Sequence, residues 1–102
     1  VTVTVLGTPV PSPASPLDPA ILAATERVTR SLWPQVPVLP VMDPGSTDSY
    51  YFRLAGIPAY GISGMFTDPG SNGVHGRDER LGIEAFHEGV EFDYRLMKAL
   101  SR

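Results

Sequence analysis

The placement of proline constrains this chain more than any other feature. Four of the eleven prolines fall between residues 7 and 16, with serines among them. Because proline lacks a backbone N–H group and fixes φ, this stretch can form neither a helix nor a central strand. It predicts a stiff, extended connector. Further along, prolines stand at the expected start and end of a helix and so help to divide the chain into elements.

The residues before the connector predict a strand. Val1 to Val5 alternates strictly and is entirely β-branched, which is typical of a strand with one apolar face. A strand this short needs partner strands. Strand, connector and a following α/β region together indicate a crossover between domains. An ordinary N-terminal arm is the alternative.

Three helices are predicted after the connector. Asp18-Pro19 pairs an N-cap acid with proline at the first helical position, and Pro34 ends that helix. The apolar stripe of this helix is predicted to be Ile21, Leu22, Thr25, Val28, Thr29 and Leu32. A second helix follows the turn Asp43-Pro44-Gly45, with Ser46 or Thr47 as its cap, and stops at Gly56. The third runs from about Gly82 to Leu100, and its predicted buried stripe is Ile83, Phe86, Val90, Tyr94, Met97 and Leu100.

Alternation of helices and strands indicates the α/β fold class. Residues 36–42 and 57–62 are short and apolar, and prolines make the first of them irregular or an edge strand. The predicted fold is a partial layered αβ domain, with helices packed on a small, mixed or partly parallel sheet. Two or three strands make a thin sheet, so strands from elsewhere are expected to extend it. This favours a region truncated from a larger two-domain protein.

Composition excludes several functions. The net charge of −3, with acids and bases interspersed, argues against a nucleic-acid-binding surface. No apolar run approaches the roughly 18 residues that a bilayer span needs. The absence of cysteine excludes disulfides and thiolate metal sites but leaves the compartment undecided.

His75 is the strongest candidate for chemistry. It stands between Gly73 and Gly76 in a long loop that follows a predicted strand, where α/β proteins commonly build their sites. An imidazole there can bind a metal, and Glu79 or Asp78 can accept a hydrogen bond from its second ring nitrogen. The only other histidine, His87, is predicted to be solvated on the last helix. The co-ligands of a metal site are therefore expected to lie outside these residues. A plain surface histidine is the alternative.

A second candidate is the segment Gly45-Ser46-Thr47-Asp48, between a strand end and a helix start. Backbone N–H groups and the helix dipole favour an anionic ligand at such a position. The alternative is a simple N-cap with an acid in the first turn. The segment is not a phosphate loop, because it lacks the glycine spacing and the lysine.

Two stretches of the sequence carry a family resemblance: GSTDSYYFRLAGIPAYGIS and HGRDERLGIEAFHEGVEFDYRLMKAL. They resemble the C-terminal end of the zinc carboxypeptidase/aminoacylase family of metallopeptidases (family M-twenty), especially its carboxypeptidase S-like and Ss1-like members. In that family a Gly-x-Thr-Asp motif opens a helix, a Gly-Ile-Pro strand follows, and a His-Gly-x-x-Glu motif ends the active-site loop. One departure is Gly64-Met65, where many relatives carry proline, and this puts the shape of the substrate-side loop in question.

The resemblance implies a domain organisation and a site. Residues 1–6 would be the last strand of an inserted lid or dimerisation domain, 7–17 the crossover linker, and 18–102 the C-terminal part of the catalytic domain. His75 would be the final ligand of a two-zinc site, with Glu79 behind it. The other ligands and the general-base glutamate would lie in an N-terminal segment that has no counterpart here. Gly45, Ser46, Thr47 and Asp48 would face the substrate, near its free carboxylate.

The resemblance thus implies part of a zinc-dependent amidohydrolase that cleaves a peptide or an N-acyl amino acid. These residues alone are expected to be inactive, because one ligand cannot satisfy a zinc site. The alternatives are a non-catalytic binding module and a dimerisation element in which Val1 to Val5 pairs across a two-fold axis. The substrate side chain, the choice between carboxypeptidase and aminoacylase activity, and the compartment stay open.

Overall fold

The computed structural model describes residues 1–4, 7, 10–43, 45–70 and 73–101. Within them lie three helices: α1 (Pro19–Leu32), α2 (Ser49–Leu54) and α3 (Ile83–Leu100). The chain forms two compact units, one made of Val1–Pro16 and Met42–Tyr60, the other of Leu17–Val41 and Gly61–Arg102. None of the helices described has the length and apolar character needed to cross a bilayer.

Helix α1 confirms the predicted cap and face. Asp18 Oδ1 accepts hydrogen bonds from the backbone N–H groups of Ala20, at 2.8 Å, and Ile21, at 3.1 Å. These bonds satisfy two of the four N–H groups that a helix start leaves unpaired. The helix ends just before Trp33 and Pro34, as expected. Its buried residues are Ala24, Thr25, Val28 and Thr29.

The core of the second unit lies between α1 and α3. Phe92, only 2% exposed, and Leu96 pack against Ala24 and Val28. Trp33 extends this core, because its ring lies 4.8 Å from that of Phe66, edge to face, and 5.7 Å from that of Phe92. Two helices and the beginning of the long loop therefore share one apolar cluster.

The predicted buried stripe of α3 is wrong for this structure. Its six residues are exposed, among them Ile83 at 76% and Met97 at 68%. Gly89, Phe92 and Leu96 are buried instead. The helix has two apolar stripes. The stripe that contains Gly89 allows the neighbouring chain to approach the helix more closely. At Gly89 an added Cβ would overlap the side chain of Met65. The sequence pattern favoured the bulkier stripe, whereas packing used the smaller one.

The predicted sheet is not observed. Residues 36–42 and 57–62 are irregular, as are residues 1–4, and no strand occurs in the described part of the chain. Val5 and Leu6, which belong to the first predicted strand, lie outside the described residues. A strand is stable only when its backbone pairs with a neighbour. Here Ala59 uses both its N–H and its C=O on the hydroxyl of Ser15, at 2.9 and 2.8 Å.

The proline-rich connector is held in place by hydrogen bonds within the first unit, of which it is part. Thr8 and Pro9 of the connector lie outside the described residues. In the rest of the connector, backbone carbonyl groups and serine side chains form hydrogen bonds with α2 and with the residues after α2. Three further bonds run from Tyr50 Oη to Val10 O (2.9 Å), from Arg53 Nε to Ser12 Oγ (3.1 Å) and from Tyr60 Oη to Pro16 O (2.7 Å). Arg53 thus contacts a serine of the connector.

Candidate functional site

His75 lies in a tight turn of the second unit. Its φ of 63° is the only positive value at a non-glycine residue in the described part of the chain. This left-handed backbone costs a residue with a Cβ about 1–2 kcal/mol. Gly76 N donates a hydrogen bond to Gly73 O at 2.7 Å and closes the turn. The imidazole is exposed, so the turn presents it to solvent.

Both glycines beside His75 are required by close backbone approach. A Cβ on Gly73, whose φ is +61°, would lie 2.8 Å from the carbonyl oxygen of Asp78. A Cβ on Gly76 would lie 2.9 Å from the carbonyl oxygen of Gly73. The turn is therefore compact, and it brings the backbone of Asp78 and Glu79 back beside Gly73. Left-handed residues with side chains concentrate at functional sites, which supports a special role for His75.

The metal-binding capacity of the turn is limited. Asp78 and Glu79 are both exposed. Among the described residues, no group of three or more His, Asp or Glu side chains is placed to hold a metal ion. A zinc site takes at least three protein ligands. The described residues therefore do not meet the donor requirement of zinc by themselves.

The Gly45 to Asp48 segment belongs to the first unit and opens α2. Asp43 Oδ1 accepts a hydrogen bond from Gly45 N at 2.6 Å, and Thr47 Oγ1 accepts one from Ser49 N at 3.3 Å. Thr47 lies one residue before the N-cap of α2, so the predicted cap at Ser46 or Thr47 is wrong by one or two positions. Asp48 occupies the N-cap position without a side-chain cap hydrogen bond. The segment is exposed and belongs to a different unit from His75.

Sequence reasoning missed how the His75 loop is anchored. Gly64 is buried, and a Cβ there would lie 2.5 to 2.8 Å from the Cβ, Cγ and Cδ1 atoms of Phe92. Met65 packs on Gly89 in the same way, so the loop begins in direct contact with α3. The Gly64-Met65 pair stood out in the sequence only as a departure from the family pattern. His87 is exposed beside the ring of Phe86, which confirms the prediction for it.

Comparison with known proteins identifies relatives over most of the chain. It is 38% identical over 79 residues to aminoacylase-1 of Pongo abelii and 37% identical over 79 residues to the human protein of that name. Each match covers 78% of this chain and 18% of the relative. Aminoacylase-1B of Rattus norvegicus is 36% identical over 93 residues, which are 88% of this chain and 21% of that protein.

The chain thus spans about a fifth of the length of these curated relatives. The family model described as "Peptidase family M20/M25/M40" matches residues 1–99, nearly the whole sequence. This agrees with the resemblance noted at the two motifs. The chain therefore belongs to the peptidase family M20/M25/M40, a family of hydrolases.

Proposed function

We propose that this chain is the C-terminal part of a zinc-dependent amidohydrolase that cleaves the amide bond of a peptide or an N-acyl amino acid. The family match over residues 1–99 carries the proposal. The relatives named aminoacylase favour an N-acyl amino acid as the substrate. A carboxypeptidase-type activity on peptides is the closest alternative within the family.

In this proposal His75 supplies one ligand of a two-zinc site. The left-handed backbone and the two glycines around it support this role, because they fix an exposed imidazole on a compact turn. Glu79 holds the ring through its second nitrogen. The remaining ligands and the general base come from residues that this chain does not contain. Gly45, Ser46, Thr47 and Asp48 bind the substrate near its carboxylate.

The test compares His75→Ala with His87→Ala in the full natural chain that carries these residues. Both histidines are exposed, so both substitutions leave the core intact. We expect His75→Ala to lower kcat/KM by at least about 100-fold, since even the loss of a residue that only supports a ligand costs 10–100-fold. His87→Ala should keep normal turnover. Measuring both variants on N-acetyl amino acids and on dipeptides also separates the two activities. Near-normal hydrolysis by His75→Ala would rule out its role as a ligand.

The 102 residues alone should not hydrolyse these substrates. One imidazole leaves a zinc ion without its other protein ligands, and the expected general base is elsewhere. Purified chain is assayed with added zinc on the same N-acetyl amino acids and dipeptides. Turnover above the rate of zinc alone would contradict the proposal.

A non-catalytic binding or dimerisation module is the second candidate function. The exposed apolar side chains of Val1 and Val3 favour it, because bare strand-forming residues invite pairing. Light scattering on the full natural chain and on a Val1→Lys/Val3→Lys variant tests this candidate. Dissociation of a dimer by these changes, with no zinc-dependent hydrolysis in either protein, would favour it over the hydrolase.

A further inference from the structure

Helix α3 carries a second apolar stripe, whose ring contacts in the described chain come from its own helix: Lys98 over Tyr94 and His87 beside Phe86. One face packs in the core through Gly89, Phe92 and Leu96. We call the other the bare stripe, and it consists of Ile83, Phe86, Val90, Tyr94 and Met97. These residues recur every three or four positions, so they form one row along the helix. Their exposed fractions range from 48% to 76%.

Projection at about 100° per residue separates the two apolar faces from the polar one. All but one of the charged and polar side chains gather on an arc of about 100°: Glu84, His87, Glu88, Glu91, Arg95 and Lys98. The exception is Asp93, which is exposed and lies beside the bare stripe. Glu91 and Arg95 pair on this arc at 2.6 Å. A surface helix needs only one apolar stripe opposite its polar face. In α3 the polar arc already provides the face toward solvent, and the packed face provides the apolar stripe toward the core. The bare stripe is therefore a second apolar stripe that such a surface helix does not need.

The bare stripe is more extensive than the contact that α3 already makes. The packed face buries two large apolar residues, Phe92 and Leu96, whereas the bare stripe exposes five. Contiguous exposed apolar patches of this kind mark interaction surfaces. Leu100 is also exposed and lies on the helix between the bare stripe and the packed face, together with the exposed Asp93.

We infer that the bare stripe of α3 docks on an apolar surface of the same catalytic domain, formed by residues of that domain that this chain does not contain. The chain matches the family over residues 1–99, yet it spans only 18–21% of the length of these relatives. In a protein as long as these relatives, most of the residues lie outside the part matched here and could contact the bare stripe. Helix α3 is then an interior helix, covered by α1 on one side and by the rest of the domain on another.

Charge disfavours a second copy of this chain as the occupant. Helix α3 carries four acidic residues, Glu84, Glu88, Glu91 and Asp93, against two basic ones, Arg95 and Lys98, a net charge of −2. Two copies pairing through the bare stripe would bring two helices of like charge together. The inference rests on the family assignment and not on the zinc site, so a failed zinc test would leave it standing.

The test is thermal unfolding of the full natural chain with the bare stripe made polar. Val90→Asn combined with Met97→Asn places two amides in an apolar contact, and we expect Tm to fall by at least about 5 °C. The matched control is Glu88→Asn combined with Lys98→Asn on the polar arc of the same helix, which leaves the net charge unchanged. The control should shift Tm by no more than about 2 °C.

Two results would overturn the inference. Equal small shifts for the two double variants would mean that the bare stripe is ordinary surface in the full natural chain. The other result is a Tm that rises with protein concentration, together with a dimer that Val90→Asn/Met97→Asn converts to monomer in sedimentation experiments. That outcome would assign the stripe to a second copy.

Discussion

At the scale of single residues, the turn around His75 combines the most specific sequence signal with the most specific geometry. The glycines on either side were visible in the sequence, but their reason was not. Gly73 and Gly76 are needed because the backbone meets itself, at the carbonyl oxygens of Asp78 and Gly73. Such contacts depend on the three-dimensional path of the backbone, so the spacing of residues along the sequence alone did not predict them. The left-handed φ of His75 was equally hidden.

Substitution of Gly73 by alanine tests whether this turn must close tightly. Gly73→Ala adds a Cβ 2.8 Å from Asp78 O at a φ of +61°, whereas Gly70→Ala adds one in open space at a φ of +76°. Both variants incur the left-handed cost of about 1–2 kcal/mol, and only Gly73→Ala adds the collision. We expect Gly73→Ala to be the less stable of the two in chemical denaturation, by about 1 kcal/mol or more. Equal losses for the two variants would show that the turn opens without cost.

At the scale of elements, the helices were predictable and the sheet was not. The start of α1 depends on Asp18 and Pro19, which lie next to each other and act through local hydrogen bonds. The face that α3 buries depends on which of two apolar stripes finds a closely fitting neighbour, and that is not local information. Strands at residues 36–42 and 57–62 depend even more on partners, since their backbone groups must pair across a sheet.

The contact between the loop and α3 gives a test at this scale. Gly64→Ala forces a Cβ to within 2.5 Å of Phe92 Cβ, and an aromatic ring in the core cannot easily move aside. We expect a loss of about 1–3 kcal/mol in the free energy of unfolding. Gly61→Ala, three residues earlier, meets no atom within 4 Å and should change stability by less than about 0.5 kcal/mol. A neutral Gly64→Ala would mean that the loop does not seat on α3.

At the scale of the whole molecule, the family could be predicted from the sequence, whereas the complete zinc site could not. The motifs at Gly45 to Asp48 and at His75 to Glu79 led to the family that the comparison then confirmed over residues 1–99. A zinc site is assembled from side chains that are far apart in sequence, and the described residues bring no three donors together. The described residues also leave large apolar side chains exposed, above all those of the bare stripe.

The zinc content of the full natural chain tests the central claim most directly. Elemental analysis after dialysis against zinc-free buffer is applied to the wild type, His75→Ala and His87→Ala. If His75 is a ligand of a two-zinc site, the wild type and His87→Ala should retain about two ions per chain and His75→Ala fewer, with an unchanged Tm in the metal-free state. Equal zinc content in all three proteins, or no zinc in the wild type, would contradict the account.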